Sequence, residues 1–230
     1  MSTNTSEIFY KMFTQFIDTV RSTSVEVIRL LPDSFFLGVA ILAGLSMCKS
    51  YGVLLLTMIE IMIVQNAFSK IIGGIMPSGA GPNVLNTVCQ PGFSFPNNMR
   101  YSILEKIGTP SLFPSPTLFF LTGVMSYMIF AMQQFKREIV SLSGEIDTRV
   151  TVATVLSAIF VLIVLIFRST YGCESFGSLI VSSILGTVLG GILVYQNMAL
   201  FGKDGINILN IPILQTSLEA GKPLYVCDSS

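Results

Sequence analysis

Residues 150–167 read VTVATVLSAIFVLIVLIF, eighteen consecutive uncharged residues closed by Arg149 on one side and Arg168 on the other. A helix that crosses the hydrocarbon core of a bilayer needs about 20 predominantly apolar residues, with a range of about 17–25. It must be a helix because lipid offers no partner for an open backbone N–H or C=O. Working outward, Gly52 to about Phe68, Thr117 to Met132 and Phe176 to about Leu200 repeat the pattern, and Phe35 to Cys48 gives a shorter version that needs Leu30, Leu31 or the turn at Lys49 to reach the headgroups. The composition agrees: 51% hydrophobic, 11% charged and a mean hydropathy of +0.72, against about 25% charged residues in a soluble domain. The expected fold is an all-α polytopic membrane bundle of about five transmembrane helices.

Ahead of the first span, Ile8 to Leu31 places Phe9, Met12, Phe13, Phe16 and Val20 on one helical stripe, with Lys11, Asp18, Arg21, Glu26 and Arg29 elsewhere. So many charges oppose a simple span, at roughly 2.5–3.5 kcal/mol each at the bilayer centre. This reads as an interfacial amphipathic helix, broken by Pro32. Residues 1–34 therefore form an N-terminal segment, 35–202 the bundle and 203–230 a tail outside the membrane. Met1 to Ser6 lacks the positive start of a cleaved leader.

Between the second and third spans, Ile71 to Pro114 is rich in Pro, Gly and Asn and contains no spanning run. A loop of that length is expected to be functional or to face a partner. A polar link, Gln133 to Arg149, joins the third and fourth spans. The fifth carries Ser178, Ser182, Gly186 and Gly190 at every fourth position, a flat face that lets another helix approach closely. That face serves either packing within the bundle or a homo-oligomer.

The chain has no histidine, which removes the commonest general base and metal ligand. Cys48, Cys89, Cys173 and Cys227 form no CxxC pair, so no metal site and no cofactor are expected. Thirteen basic and thirteen acidic residues cancel, leaving no field to attract nucleic acid. The expected partners are the lipid bilayer and, through the 71–114 loop, other membrane or peripheral proteins.

Alternation of spans puts the long loop, the start of the third span, the end of the fourth and the start of the fifth on one side, the loop face. There the chain reads Lys70-x6-Pro77, then Phe113-Pro114-Ser115-Pro116-Thr117, then Arg168-x3-Gly172-x-Glu174-x3-Ser178. This order resembles the type-2 phosphatidic acid phosphatase family, whose motifs are a lysine followed by Arg-Pro, a Pro-Ser-Gly-His opening a helix, and Ser-Arg followed by a histidine and an aspartate. In that family the lysine, arginines and serine hold phosphate, one histidine attacks phosphorus, and the other, oriented by the aspartate, protonates the leaving group. The resemblance spans about Lys70 to Gly191 and implies that Lys70, Ser115 and Arg168 are an anion-binding remnant. The chemistry departs from the family: Met76 stands for the first arginine, Pro116 near the first histidine, Phe167 for the serine before Arg168, Glu174 for the nucleophilic histidine and Ser178 for the aspartate. The resemblance thus implies a pseudo-enzyme, in which the Glu174 carboxylate opposes binding of a phosphate. Without it, Pro114-Ser115-Pro116 is an ordinary helix start.

Glu60 lies in the middle of the second span and is expected to be hydrogen-bonded and structural, against the alternative of an ion path with Gln65 and Asn66. Cys89 and Cys173 both map to the loop face and form a disulfide if that side is oxidising. Cys173 beside Glu174 as a nucleophile has only Arg168 to lower the thiol pKa of about 8.5. Lys49, Lys136, Arg137, Arg149 and Lys203 flank the opposite face against Lys70, Arg100, Lys106 and Arg168 on the loop face, a narrow balance that favours a cytoplasmic opposite face and that Lys11, Arg21 and Arg29 tip either way, depending on whether Ile8 to Leu31 spans. The expected function is structural or scaffolding and non-catalytic, in a virion or organelle membrane. The alternatives are a lipid-phosphate phosphatase-like enzyme or binder, and a small channel using Glu60.

Overall fold

The computed structural model describes residues 3–72, 88–94, 100–103, 113–136 and 145–209. Among them, five helices carry the fold: α1 (Thr3–Ser46), α2 (Lys49–Ile72), α3 (Pro116–Gln134), α4 (Glu145–Thr170) and α5 (Phe176–Gly205). Strands β1 (Phe93–Ser94) and β2 (Arg100–Tyr101) form a two-residue antiparallel ladder in which Phe93 pairs with Tyr101. All five helices are long and apolar enough to cross a membrane, the make-up of an integral multi-pass protein. Most of the 71–114 loop, residues 137–144 of the polar link and residues 210–230 of the tail, Cys227 included, lie outside the described residues. Lys203, Asp204 and Gly205 continue α5.

Helix α3 occupies the middle. Leu118, Phe119, Phe120, Leu121, Val124 and Tyr127 are almost inaccessible, because α3 packs against α5 most closely and also touches α1, α2 and α4. Helix α4 is its opposite. Val152, Val155, Leu156, Ile159, Leu162, Ile163 and Ile166 share one face and point outward, as branched apolar side chains suit a face turned to acyl chains, while Phe160, Val161, Val164 and Leu165 pack against Leu118, Leu121 and Leu179.

The small-residue ladder of α5 packs within the bundle. A Cβ on Gly186 would sit 2.5 Å from the Phe119 carbonyl oxygen, and one on Gly190 would sit 2.3 Å from that of Gly123. Backbone meets backbone there, so the dispersion contacts that replace a hydrophobic driving force in lipid are made at their closest. Gly190→Ala is expected to lower stability by about 1–3 kcal/mol through overpacking. Gly177→Ala, where the added carbon meets nothing within 4 Å, is the control. Thermal unfolding in detergent followed by circular dichroism reads both, and an unshifted Gly190→Ala protein would remove the close approach from the account of α3–α5 packing.

Pro32 does not break α1. The helix runs through it from Thr3 to Ser46, so the 34/35 boundary falls inside a continuous helix. Proline removes one backbone hydrogen bond and costs roughly 3 kcal/mol in a helix interior. Ending the helix among apolar neighbours would leave several backbone groups unpaired, at several kcal/mol each. The N-terminal half, up to about Val27, runs past the loop-face end of the bundle, and Arg21 anchors it there, its Nε donating to Tyr171 Oη at 3.1 Å. At the other end of the bundle, Gly202 takes φ +76° and interrupts α5. Lys49 Nζ donates to the Phe201 carbonyl at 2.8 Å beside that interruption.

Candidate functional site at the loop face

The segment between α4 and α5 assembles the site in four residues. Gly172, at φ +64°, ends α4 in the left-handed conformation. The Gly172 N–H then bonds the Ser169 carbonyl and the Cys173 N–H bonds that of Arg168, each at 3.0 Å. This pair of bonds is a Schellman stop, and it folds the chain back beneath the last turn of α4. Cys173 comes to face Cys89, Glu174 comes to face Arg168, and Ser175 caps α5 by accepting from the Ser178 N–H at 3.3 Å.

Arg168 and Glu174 form a two-pronged ion pair. Nε donates to Oε2 at 2.7 Å and Nη2 to Oε1, while Nη2 also reaches the Cys89 carbonyl at 3.4 Å. From the start of α3, Ser115 Oγ donates to Glu174 Oε1 at 3.0 Å. Arg168 is 6% exposed, Glu174 4% and Ser115 0%. Charges so buried persist only when paired and hydrogen-bonded, and the bidentate geometry suits a guanidinium facing a carboxylate. The Ser115 backbone N–H donates to Ser182 Oγ at 2.7 Å, and Gln65 Nε2 donates to the Pro114 carbonyl at 3.1 Å. The Phe113–Pro114 peptide is cis. Ser115 stands at the N-cap of α3, yet its hydroxyl makes no cap bond and instead donates to Glu174.

The Cys89–Cys173 disulfide closes the site, with Cα atoms 5.2 Å apart. Beside it, the Ile103 N–H donates to Asp33 Oδ1 at 3.1 Å, so the described ends of the loop are fastened to α1 and to the α4–α5 turn. Cys48, between α1 and α2, is disulfide-bonded too. Bonds at both ends of the bundle leave the orientation undecided by cysteine chemistry.

Of the residues named from sequence, Ser115, Arg168 and Glu174 converge, with Ser178 and Ser182 in the adjoining turns of α5. Lys70 does not join them: it is exposed at the end of α2 and makes no ion pair among the described residues. Glu60 is half-buried and accepts from Gln196 Nε2 at 3.3 Å. Near it, Asn197 Nδ2 donates to Thr57 Oγ1 at 2.7 Å and to Tyr127 Oη at 3.2 Å, joining α2, α3 and α5. The amide pair Gln196-Asn197, next to one another near the end of the fifth span, is the sequence signal for this cluster. The six-residue step from Arg168 across Gly172 makes Glu174, the carboxylate expected to oppose a phosphate, the arginine's counter-ion.

Comparison with known proteins finds no matching family model, curated protein or solved structure.

Proposed function

We propose that this chain is a non-catalytic membrane scaffold that organises a bilayer or ties it to a protein layer, with its loop face turned to the partner. The observation that carries this reading is the buried Ser115–Glu174–Arg168 triad. The arginine and serine that would hold a substrate's phosphate in a phosphatase-like frame are saturated by the protein's own carboxylate. A substrate anion would have to displace a two-pronged intramolecular partner already in place, at an effective concentration no dilute ligand matches.

The same features support the loop as the docking surface. Its described parts are clamped to the bundle by the disulfide and by Asp33. The N-terminal amphipathic helix would add a second element outside the bilayer on the same side.

Phosphate release from phosphatidate or an isoprenyl pyrophosphate in mixed micelles tests the reading. Wild type and Arg168→Ala are expected to match buffer alone. Release by the wild type that Arg168→Ala abolishes would establish the lipid-phosphate enzyme instead.

A further inference from the structure

The N-terminal half of α1 carries a seam that its own bundle leaves open. Phe9, Phe13, Phe16, Val20, Thr23, Val27 and Leu30 follow one another at alternating steps of four and three residues, the a/d spacing of a heptad repeat. In the folded chain this seam is left uncovered up to Val27, with Leu30 half-buried: Phe9 is 72% exposed, Phe16 64%, and Phe13 and Val27 both 54%. The charges Lys11, Asp18, Arg21 and Arg29 fall on the other side of the helix. On that side Arg21 meets the bundle, bonding Tyr171 and lying over its ring at 5.8 Å from the centroid. The seam is therefore turned away from the chain's own body, on an arm of about 25 residues, or roughly 37 Å at 1.5 Å per residue.

We propose that this arm joins copies of the same chain into a parallel homo-oligomer. Three features single out that occupant. Copies inserted in one bilayer with one orientation present their arms side by side, parallel and at equal height, which sets Phe9 against Phe9 and Phe16 against Phe16 as an in-register heptad requires. The arm's charges cancel, Lys11, Arg21 and Arg29 against Glu7, Asp18 and Glu26, so it lacks the basic polar face that holds an amphipathic helix on anionic lipid. The Gly186–Gly190 face of α5, the other surface suited to self-association, is already taken by α3. Tyr10, Met12 and Ile17 flank the seam and are exposed as well. They widen the apolar face beyond the narrow stripe of a two-stranded coil, so more than two arms meet. This assignment is independent of the reading of the triad.

The test uses the full-length protein in lipid nanodiscs or proteoliposomes. Under mild oxidation, Phe16→Cys is expected to give a covalent dimer on a non-reducing gel, and Asp18→Cys on the far side to give none. Phe16→Glu is expected to reduce the particle from a multiple of the 25.0 kDa protomer to a single protomer by mass photometry. Its helix content, unchanged by circular dichroism, shows that the bundle still folds. A wild type that is monomeric at micromolar concentration, or equal cross-linking at both positions, overturns the proposal. Quenching of a fluorophore at Phe16→Cys by spin-labelled lipid overturns it as well, since the arm would then lie on the bilayer.

Discussion

Glu174→Ala destabilises the bundle by about 3–5 kcal/mol, the range for removing one partner of a buried ion pair. The loss comes from what remains: the Arg168 guanidinium stays buried with its main acceptor gone, and the Ser115 hydroxyl loses the carboxylate to which it donates. Thermal unfolding in detergent reads this directly. Two companion measurements separate charge from shape. The double replacement Arg168→Met with Glu174→Leu recovers much of the loss, because a buried pair exchanged for apolar groups of similar volume is often neutral or better. Inorganic phosphate at millimolar concentration raises the unfolding temperature of Glu174→Ala and leaves the wild type unmoved, since only the variant offers an oxyanion the empty fork of Arg168 and the hydroxyl of Ser115. A Glu174→Ala protein as stable as wild type would show that the carboxylate is not the arginine's counter-ion. Equal phosphate stabilisation of both proteins would show that the wild-type cradle admits an anion, against the scaffold reading.

Cys89→Ser combined with Cys173→Ser costs about 2–5 kcal/mol, the usual range for losing a native disulfide. The bond spans 84 residues, and for a closed loop of that length the chain-entropy model gives about 4–5 kcal/mol. Freed from Cys173, the loop also withdraws the Cys89 carbonyl from Arg168, so the two losses share a partner. The disulfide variant combined with Glu174→Ala therefore loses less than the sum of the two, as residues in one network do. Unfolding curves with and without reductant, alongside thiol labelling of the intact protein, check both statements. Coincident curves after full reduction would mean that the loop's hold on the bundle does not depend on the bond.

The spans were legible because lipid imposes one rule on every residue of a crossing helix, and residues 150–167 obey it without exception. The start of α3 was legible for a local reason, Pro114-Ser115-Pro116 being a helix start whatever surrounds it. The convergence of Ser115, Arg168 and Glu174 followed from motif order along the chain, since each ends or begins a helix on one side. What the sequence hid was pairing across distance. Nothing in Ser115 itself tells that its hydroxyl serves a carboxylate 59 positions away rather than its own helix. Pro32 misled because its local effect is strongly unfavourable, and only the wider cost of an open backbone in lipid outweighs it. Gln196 answering Glu60 was hidden in the same way, by helices whose neighbours the linear order does not announce.

Helix α4, with one long apolar face left open by the bundle, also works as a gauge. Its uncharged stretch between Arg149 and Arg168 rises about 27 Å at 1.5 Å per residue, less once tilted. One end cannot slide, because Arg168 is tied to Glu174 and the next turn to Cys89. A bilayer appreciably thicker than this would have to thin around α4 or draw Arg168 from its partner, at a fraction of a kcal/mol for each ångström of mismatch. Where the length of this stretch and the thickness of the bilayer differ, the strain is therefore taken by the lipid around α4 or by the far end of the helix, not by the Arg168 end.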